Sequence, residues 1–481
     1  MSSGESSSSR IDYSRLLSWE AKHRARSGIK MLRPYMSIPG MISFGGGYPH
    51  ASTWPVNGMT LSLPFSGESV FVPGYQTNSP DGLLPLASYS PPPKTSTLQP
   101  HLAAELQYSQ TFGQVHFISW LKEHIARIHN PPYAKYEDYT ILNTAGNTDG
   151  VDAVLRTCMD KGDHVLVEEF AYPGTLSHCE SLGLPAIGVP MDSDGIVPSA
   201  LEDMMSRWDE NERGGKRPKF LLVVPTCSNP AGATIPAERK REIYTICRKW
   251  GLMIIEDDPY YFLQIRPNGV DSPPCTSFLS MDIDGRVIRL DSFSKIVAPG
   301  SRCGFITGPT ELVTHIMYSR ECSTQLPSGF SIAIISSILQ AWGGHEGYEK
   351  NYLPYISSVY SKRAILMSNL ISKHVPAKAA TAPPPSGGMF LWLRLHLEDH
   401  PDISDTSVSL EDLAERVFQS LIEAKVLTVP SKFFKAPGKS WTRDEEAKRI
   451  FLRLSFATAT EEEITEGVQR IGRALTKEWR I

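Results

Sequence analysis

Long apolar runs are missing from this 481-residue chain: none approaches the roughly 20 residues that a helix needs to cross a bilayer. No apolar core follows the Ser-rich stretch Met1 to Arg10 either, so a secretion signal is not expected and a cytoplasmic location is. The chain also lacks an excess of either charge. Lys plus Arg (48) against Asp plus Glu (52) gives a formal charge of -4, which offers no footprint for a phosphate backbone or an anionic membrane. There is no C-x-x-C pair, and the seven cysteines at 158, 179, 227, 247, 275, 303 and 322 leave one over, which suits free thiols in a reducing cytosol. No G-x-x-x-x-G-K-[ST] occurs, and Gly45-Gly46-Gly47 does not have the spacing of a dinucleotide fingerprint, so nucleotide binding is unsupported. His124 and His129 lie five apart and do not share a helix face as a metal pair would; both read as surface residues, and no metal site is expected.

What the chain does have is enough apolar material, 41% of its residues, to fill two domains. Residues 1–15 read as a disordered tail, 16–107 as an N-terminal arm with an irregular Gly-, Pro- and Ser-rich segment, 108–343 as a large domain and 344–481 as a small C-terminal one. A helical period recurs at Val115, Ile118, Leu121, Ile125 and Ile128. Beyond it, short apolar runs begin at Thr140, Val165, Phe220, Met253, Val287 and Gly304, with helical spacing over Val151 to Met159 and Ala237 to Trp250 between them. This alternation requires helices covering a mostly parallel sheet, so the fold class is α/β, with a second, smaller α/β domain from N-terminal and C-terminal segments. A further strand is expected at Met389 to Leu395 and an amphipathic helix at Leu410 to Lys425.

The informative residues are polar ones at the ends of apolar runs. Phe220 to Pro225 leads into Thr226-Cys227-Ser228-Asn229-Pro230-Ala231-Gly232; Met253-Ile254-Ile255 ends in Glu256-Asp257-Asp258-Pro259-Tyr260-Tyr261; Val287 to Leu290 runs into Asp291-Ser292-Phe293-Ser294-Lys295. Each residue alone reads as a cap or a solvated end. Three consecutive strand ends of this kind call for a shared chemistry, since ligands on such sheets sit at the carboxyl ends of strands. A lysine with lowered pKa can condense with a carbonyl, which points to an aldehyde cofactor. Pyridoxal phosphate also needs a carboxylate to keep its pyridine nitrogen protonated and hydrogen-bond donors to its phenolic oxygen. Asp257, Asn229 and Tyr260 meet those needs.

These same segments resemble the fold-type I pyridoxal-phosphate aminotransferases of class I and II, in the branch holding kynurenine/α-aminoadipate and fungal aromatic aminotransferases. The likeness runs from about Tyr35 to the C-terminus, and the interval between Asn229 and Asp257, 257 minus 229 or 28 positions, matches the family. The resemblance implies that Lys295 carries the cofactor covalently and moves the proton, and that Asp257 partners the pyridine nitrogen. By the same likeness Asn229 and Tyr260 serve the phenolic oxygen, and Tyr172 stacks on the ring. Gly146, Asn147, Thr148, Ser292, Ser294 and Arg302 then form the phosphate cup, with Tyr108 reaching it from the other subunit of a homodimer. Arg453, with Asn229 and Gly46, is implied to bind the substrate, Arg453 gripping its α-carboxylate.

The expected reaction moves the amino group of an aromatic amino acid to 2-oxoglutarate by a ping-pong mechanism, with kynurenine and 2-aminoadipate as further donors. A decarboxylase, C-S lyase or cyclase on the same fold stays open as the alternative. An effector-sensing regulator is a third reading, but residues 1 to about 40 are too short and too weakly patterned for a DNA-binding module. Two features depart from the family pattern: Asp149 adds a negative charge beside the phosphate turn, and the Leu61 to Pro100 stretch is longer than the usual arm.

Overall fold

The computed structural model describes residues 11–23, 60–63, 94–97, 105–135, 138–265, 274–405 and 407–481. The chain divides into two compact units, one joining the described residues up to Met159 with Asp282–Tyr355, the other joining Asp160–Met281 with Ile356–Ile481.

In the first unit, strand Gly304–Pro309 runs antiparallel between Tyr139–Thr144 and Val287–Ser292. Its register sets Gly304 opposite both Thr144 and Ser292. The two outer strands therefore end at the same edge, and the turns that follow them, at Gly146 and at Ser294-Lys295, start side by side. Gly304 permits this: a Cβ there would lie 2.7 Å from the Asp291 carbonyl oxygen and 2.9 Å from Gly146 Cα. Helix Val115–Ile128 follows the sequence period, burying Phe117, Leu121 and Ile125, and helix Asn147–Cys158 buries Val151, Val154, Leu155 and Cys158. The short pair Thr60–Leu63 and Lys94–Thr97 is antiparallel; the rest of the 64–93 insertion lies outside the described residues.

In the second unit, Met253–Asp257, Phe220–Val223, Val165–Glu168 and Ala186–Val189 pair in that order, all parallel. Every residue of the first three is buried, as expected for parallel strands with both faces covered. Helix Ala237–Trp250 occupies its predicted range and stops at Gly251 in the left-handed conformation, φ +68, that glycine adopts without a Cβ penalty. The same unit carries a four-stranded sheet, Ala380–Thr381, Phe390–Leu395, Phe451–Ser455 and Val429–Pro430. Its apolar face packs Leu391, Leu393, Leu452 and Leu454 against Leu413, Val417 and Leu421 of helix Leu410–Glu423 and Ile464, Val468 and Leu475 of helix Glu461–Trp479. The acids at 461–463 open that last helix, and Thr460 and Glu463 form a reciprocal cap. The α/β reading thus holds. All seven cysteines are free thiols.

Two features differ from expectation. His124 and His129 are buried, 4% and 3% exposed, because both sit on the inward side of the Val115–Ile128 helix end rather than on its wet face. Strand Ala186–Val189 and helix Gly329–Ala341 were not anticipated. The first is only four residues of small and β-branched type, and the second is apolar nearly all round and carries no clear period.

Candidate active site

In the first unit, the turn after Tyr139–Thr144 places Gly146 at φ +95, directly before the first residue of helix Asn147–Cys158. The backbone N–H groups of that first turn have no partners within the helix and form the positive end of its dipole. Asn147 is buried and its amide donates to the Leu290 carbonyl at 3.0 Å, tying the helix start to the neighbouring strand; Thr148 is exposed. Arg302, itself left-handed at φ 45, reaches back over this turn: Nη2 donates to the Ala145 carbonyl at 2.5 Å and Nη1 to Ser294 Oγ at 3.3 Å. A Cβ on Gly146 would lie 2.7 Å from Arg302 Nη2, so glycine is what lets the guanidinium lie over the backbone. Ser292 Oγ accepts from the Ser294 N–H at 3.0 Å and meets Ser294 Oγ at 2.9 Å.

Lys295 follows on the turn held by Phe293, whose carbonyl accepts from Val297 N and Ala298 N and whose ring lies 6.0 Å from Phe117. Tyr352 donates its hydroxyl to the Ile296 carbonyl, fixing the residue after the lysine. Burial, helped by the nearby Arg302 cation, holds the Lys295 amine below the ordinary lysine range, which favours the neutral nucleophile. A helix N-terminus, one guanidinium and two hydroxyls beside a depressed lysine fit a phosphate-bearing aldehyde. Asp149 does not spoil the cup. Its carboxylate accepts from Ala145 N at 2.8 Å and pairs with the buried Arg320, so its charge is neutralised within the protein.

In the second unit, the three consecutive acids divide their tasks. Glu256 accepts from the N–H groups of Phe278 and Leu279 at 2.7 and 3.1 Å, and Asp258 accepts from the Thr226 hydroxyl at 3.0 Å. Strand alternation turns Asp257 to the opposite face from Glu256, and it ends the strand buried, 8% exposed. The Asp257 charge reaches two neighbours. Glu168, fully enclosed at the end of its strand, is pushed up to about 8 by burial, with Asp257 adding to the shift, although Val224 N donates to it at 3.0 Å. The Tyr260 hydroxyl is pushed well above its usual range, first by burial and then by Asp257, and it interacts with Asn229, Arg453 and Tyr172.

Arg453 lies mid-strand between the buried Leu452 and Leu454. Its Nη1 donates to Asn229 Oδ1 at 2.8 Å, and its guanidinium sits 4.5 Å over the Phe390 ring and 5.0 Å over Phe434. Among the described residues no carboxylate lies within ion-pair distance of it, and its Nε is buried without a hydrogen-bond partner. An arginine alternating with apolar residues in a strand could instead pair with a buried acid, but no such acid stands beside Arg453 among the described residues. What stands instead is a half-buried, uncompensated cation presenting a fork, which suits a carboxylate ligand.

The structure thus gathers Gly146, Asn147, Thr148, Ser292, Ser294, Lys295 and Arg302 in one unit and Asn229, Asp257, Tyr260 and Arg453, with Tyr172 alongside, in the other. Tyr172 precedes helix Pro173–Leu182 and is 41% exposed; Tyr108 is 62% exposed. Gly46 lies outside the described residues. Sequence reasoning missed Phe390, Phe434 and Glu168. Glu168 carried a usable signal, an acid ending an apolar strand, as Asp257 does. The two phenylalanines carried none, since Phe390 within an apolar strand and Phe434 just after a short helical turn both read as core. A cavity of about 710 Å³ opens elsewhere in the second unit, near Trp441; of its lining cations, Arg449 pairs with Glu169, Lys435 with Glu446 and Lys432 with Glu415, while Lys439 sits over the Trp441 ring and Arg443 donates to the Val408 carbonyl.

Known proteins resemble the chain over almost its whole length. The family profile "Aminotransferase class I and II" matches residues 85–471. An aromatic amino acid aminotransferase of Schizosaccharomyces pombe is 33% identical over 98% of this chain and 97% of its own. The mitochondrial kynurenine/alpha-aminoadipate aminotransferase of Bos taurus is 36% identical over 77% of this chain and 82% of its own. Among solved structures, the aminotransferase Aro8 from Candida albicans superposes with a TM-score of 0.87 at 31% identity, covering 98% of this chain and 99% of that one.

Proposed function

The chain belongs to the class I and II aminotransferases, which use pyridoxal phosphate, and from that membership we propose that it transfers the amino group of an aromatic L-amino acid to 2-oxoglutarate. The observation that carries the substrate side is Arg453, a cation with no acid partner among the described residues, held by the Asn229 amide oxygen and two aromatic rings. When bound, the cofactor supplies an electron sink for the charge left at the substrate Cα.

Lys295 would hold the cofactor covalently, and its Nζ would be the base that takes the substrate's Cα proton. Burial, with the Arg302 cation nearby, lowers the pKa of that amine and so favours its neutral, basic form. Asp257, buried at its strand end, would keep the ring nitrogen protonated; Asn229 and Tyr260 would donate to the phenolic oxygen and Tyr172 would cover the ring. Gly146, Asn147, Thr148, Ser292, Ser294 and Arg302 would hold the phosphate dianion. Arg453 would orient the substrate by its α-carboxylate. The resemblance makes Gly46 a further substrate-binding residue and has Tyr108 complete the phosphate cup of the other subunit in a homodimer. Free cysteines throughout suit a reducing compartment, the cytosol.

The aromatic preference is supported by the S. pombe relative's name and by the rings of Phe390 and Phe434 around the anchor. Half-reactions test it. Holoenzyme mixed with phenylalanine alone releases one equivalent of phenylpyruvate and then requires 2-oxoglutarate to turn over again; continuous release without a keto acid, or carbon dioxide as product, would replace transamination by lyase or decarboxylase chemistry. Borohydride reduction places the cofactor's mass on the peptide containing Lys295, and Lys295→Ala abolishes both that adduct and turnover.

A further inference from the structure

Away from the site described above, the first unit holds a second cluster of ionisable groups on which the transamination chemistry makes no call. His124 on helix Val115–Ile128, His345 on the short helix Gly344–Gly347 and Glu349 one turn further on bring their side chains together. His345 Nδ1 is 3.7 Å and His124 Nδ1 3.9 Å from the same Glu349 oxygen, Oε1, and the three donor atoms lie within 4.8 Å of one another. We propose that His124, His345 and Glu349 form a binding site for a divalent transition-metal ion of the zinc class, which clamps the 344–349 segment to the end of helix Val115–Ile128.

The donor set is the one zinc prefers, two imidazoles and a carboxylate with an open fourth position. Bonds of roughly 2.0–2.1 Å in a tetrahedron separate ligand atoms by about 3.3 Å, close to the 3.7 and 3.9 Å that separate the two imidazole nitrogens from Glu349 Oε1. The surroundings match what a metal-bound histidine needs. His345 Nε2 points at Glu123 Oε2, 3.5 Å away, an arrangement in which a carboxylate fixes the ring so that the other nitrogen faces the metal. Trp120 stacks on the His345 ring at 4.3 Å and on His124 at 5.3 Å, holding both imidazole planes.

His345 Nδ1 is buried without a hydrogen-bond partner, a desolvation cost that coordination would offset. Arg127 grips Glu349 through Nε to Oε1 and Nη2 to Oε2, both at 2.8 Å, which aims the carboxylate and still leaves a lone pair on Oε1. Glu123, on the wet side of the cluster and 60% exposed, adds a negative charge near that guanidinium, while Glu346 pairs with Lys350.

The test uses metal-stripped holoenzyme titrated with Zn²⁺ by calorimetry and with Co²⁺ by visible absorbance. One equivalent of Zn²⁺ per chain, a tetrahedral Co²⁺ spectrum and a raised melting temperature are expected. His345→Gln should weaken Zn²⁺ binding at least tenfold and lose the Co²⁺ spectrum, while transamination measured without added metal stays at the wild-type rate. Since Glu349 also anchors Arg127, His124→Gln serves as the second variant, with the same result expected. Wild-type protein that binds no Zn²⁺, or binds it no better than both variants do, overturns the proposal and leaves the aminotransferase reading untouched.

Discussion

Replacing Arg453 by Ala removes a cation whose partners in the free protein are one amide oxygen and two ring faces. Burial holds its pKa below the ordinary arginine range, only partly countered by Tyr260 and Tyr172, so the ion is paying desolvation without an acid to compensate it. An incoming carboxylate provides that compensation. A hydrogen bond to a charged group is worth about 1.5–3 kcal/mol, which is about 10- to 150-fold in kcat/KM for an α-amino acid. The loss should appear mainly as a raised KM, because the carboxylate is bound alike in the ground and transition states.

The decisive comparison is phenylalanine against 2-phenylethylamine, an amine with the same ring and no carboxylate. Arg453→Ala should lower kcat/KM for phenylalanine by that factor and leave the amine's nearly unchanged, shrinking the ratio between the two. Arg453→Lys, which keeps the charge but not the fork, should fall between. If both substrates lose the same factor, the damage runs through the unpartnered Asn229 rather than through a lost anchor, and the assignment of Arg453 fails.

Two other perturbations follow from the geometry. Gly146→Ala adds a Cβ at φ +95 and 2.7 Å from Arg302 Nη2, so it should cost about 1–3 kcal/mol of stability and displace the guanidinium. A melting temperature and cofactor retention after dialysis equal to wild type would dismiss that reading of the cup. Glu168 has a folded pKa of about 8 against an ordinary 4.5, so its contribution to stability is fully present below 4.5 and is lost as pH rises through about 8. Glu168→Gln should flatten that decline. Urea midpoints measured on either side of the window check it, and an unchanged slope would mean that Glu168 does not stay protonated beside Asp257.

Much of the fold was legible because the relevant signals are local. The apolar strands around Val165, Phe220, Met253 and Val287 and the helix Ala237–Trp250 appear where short runs and a 3.6-residue period place them, and these patterns need no knowledge of distant residues. The polar strand ends were legible for the same reason. Asn229, Asp257 and Lys295 sit where an apolar run stops, and their chemistry together called for one cofactor. What stayed hidden was how each charge is compensated. Asp149 read as a liability beside a phosphate until Arg320, 171 positions away, proved to neutralise it. Arg453 could have belonged to a buried acid, and His124 read as a surface residue.

The amino-acid order by itself thus determined which segments become strands and helices and which chemical groups stand at their ends, since both depend on neighbours a few residues away. Tertiary structure alone decided which of those groups are matched and which remain poised for a ligand. Electrostatic and hydrogen-bond energies fall with distance through space, and the chain brings Arg302 to Ala145, Arg453 to Phe390 and His345 to His124 only when it folds.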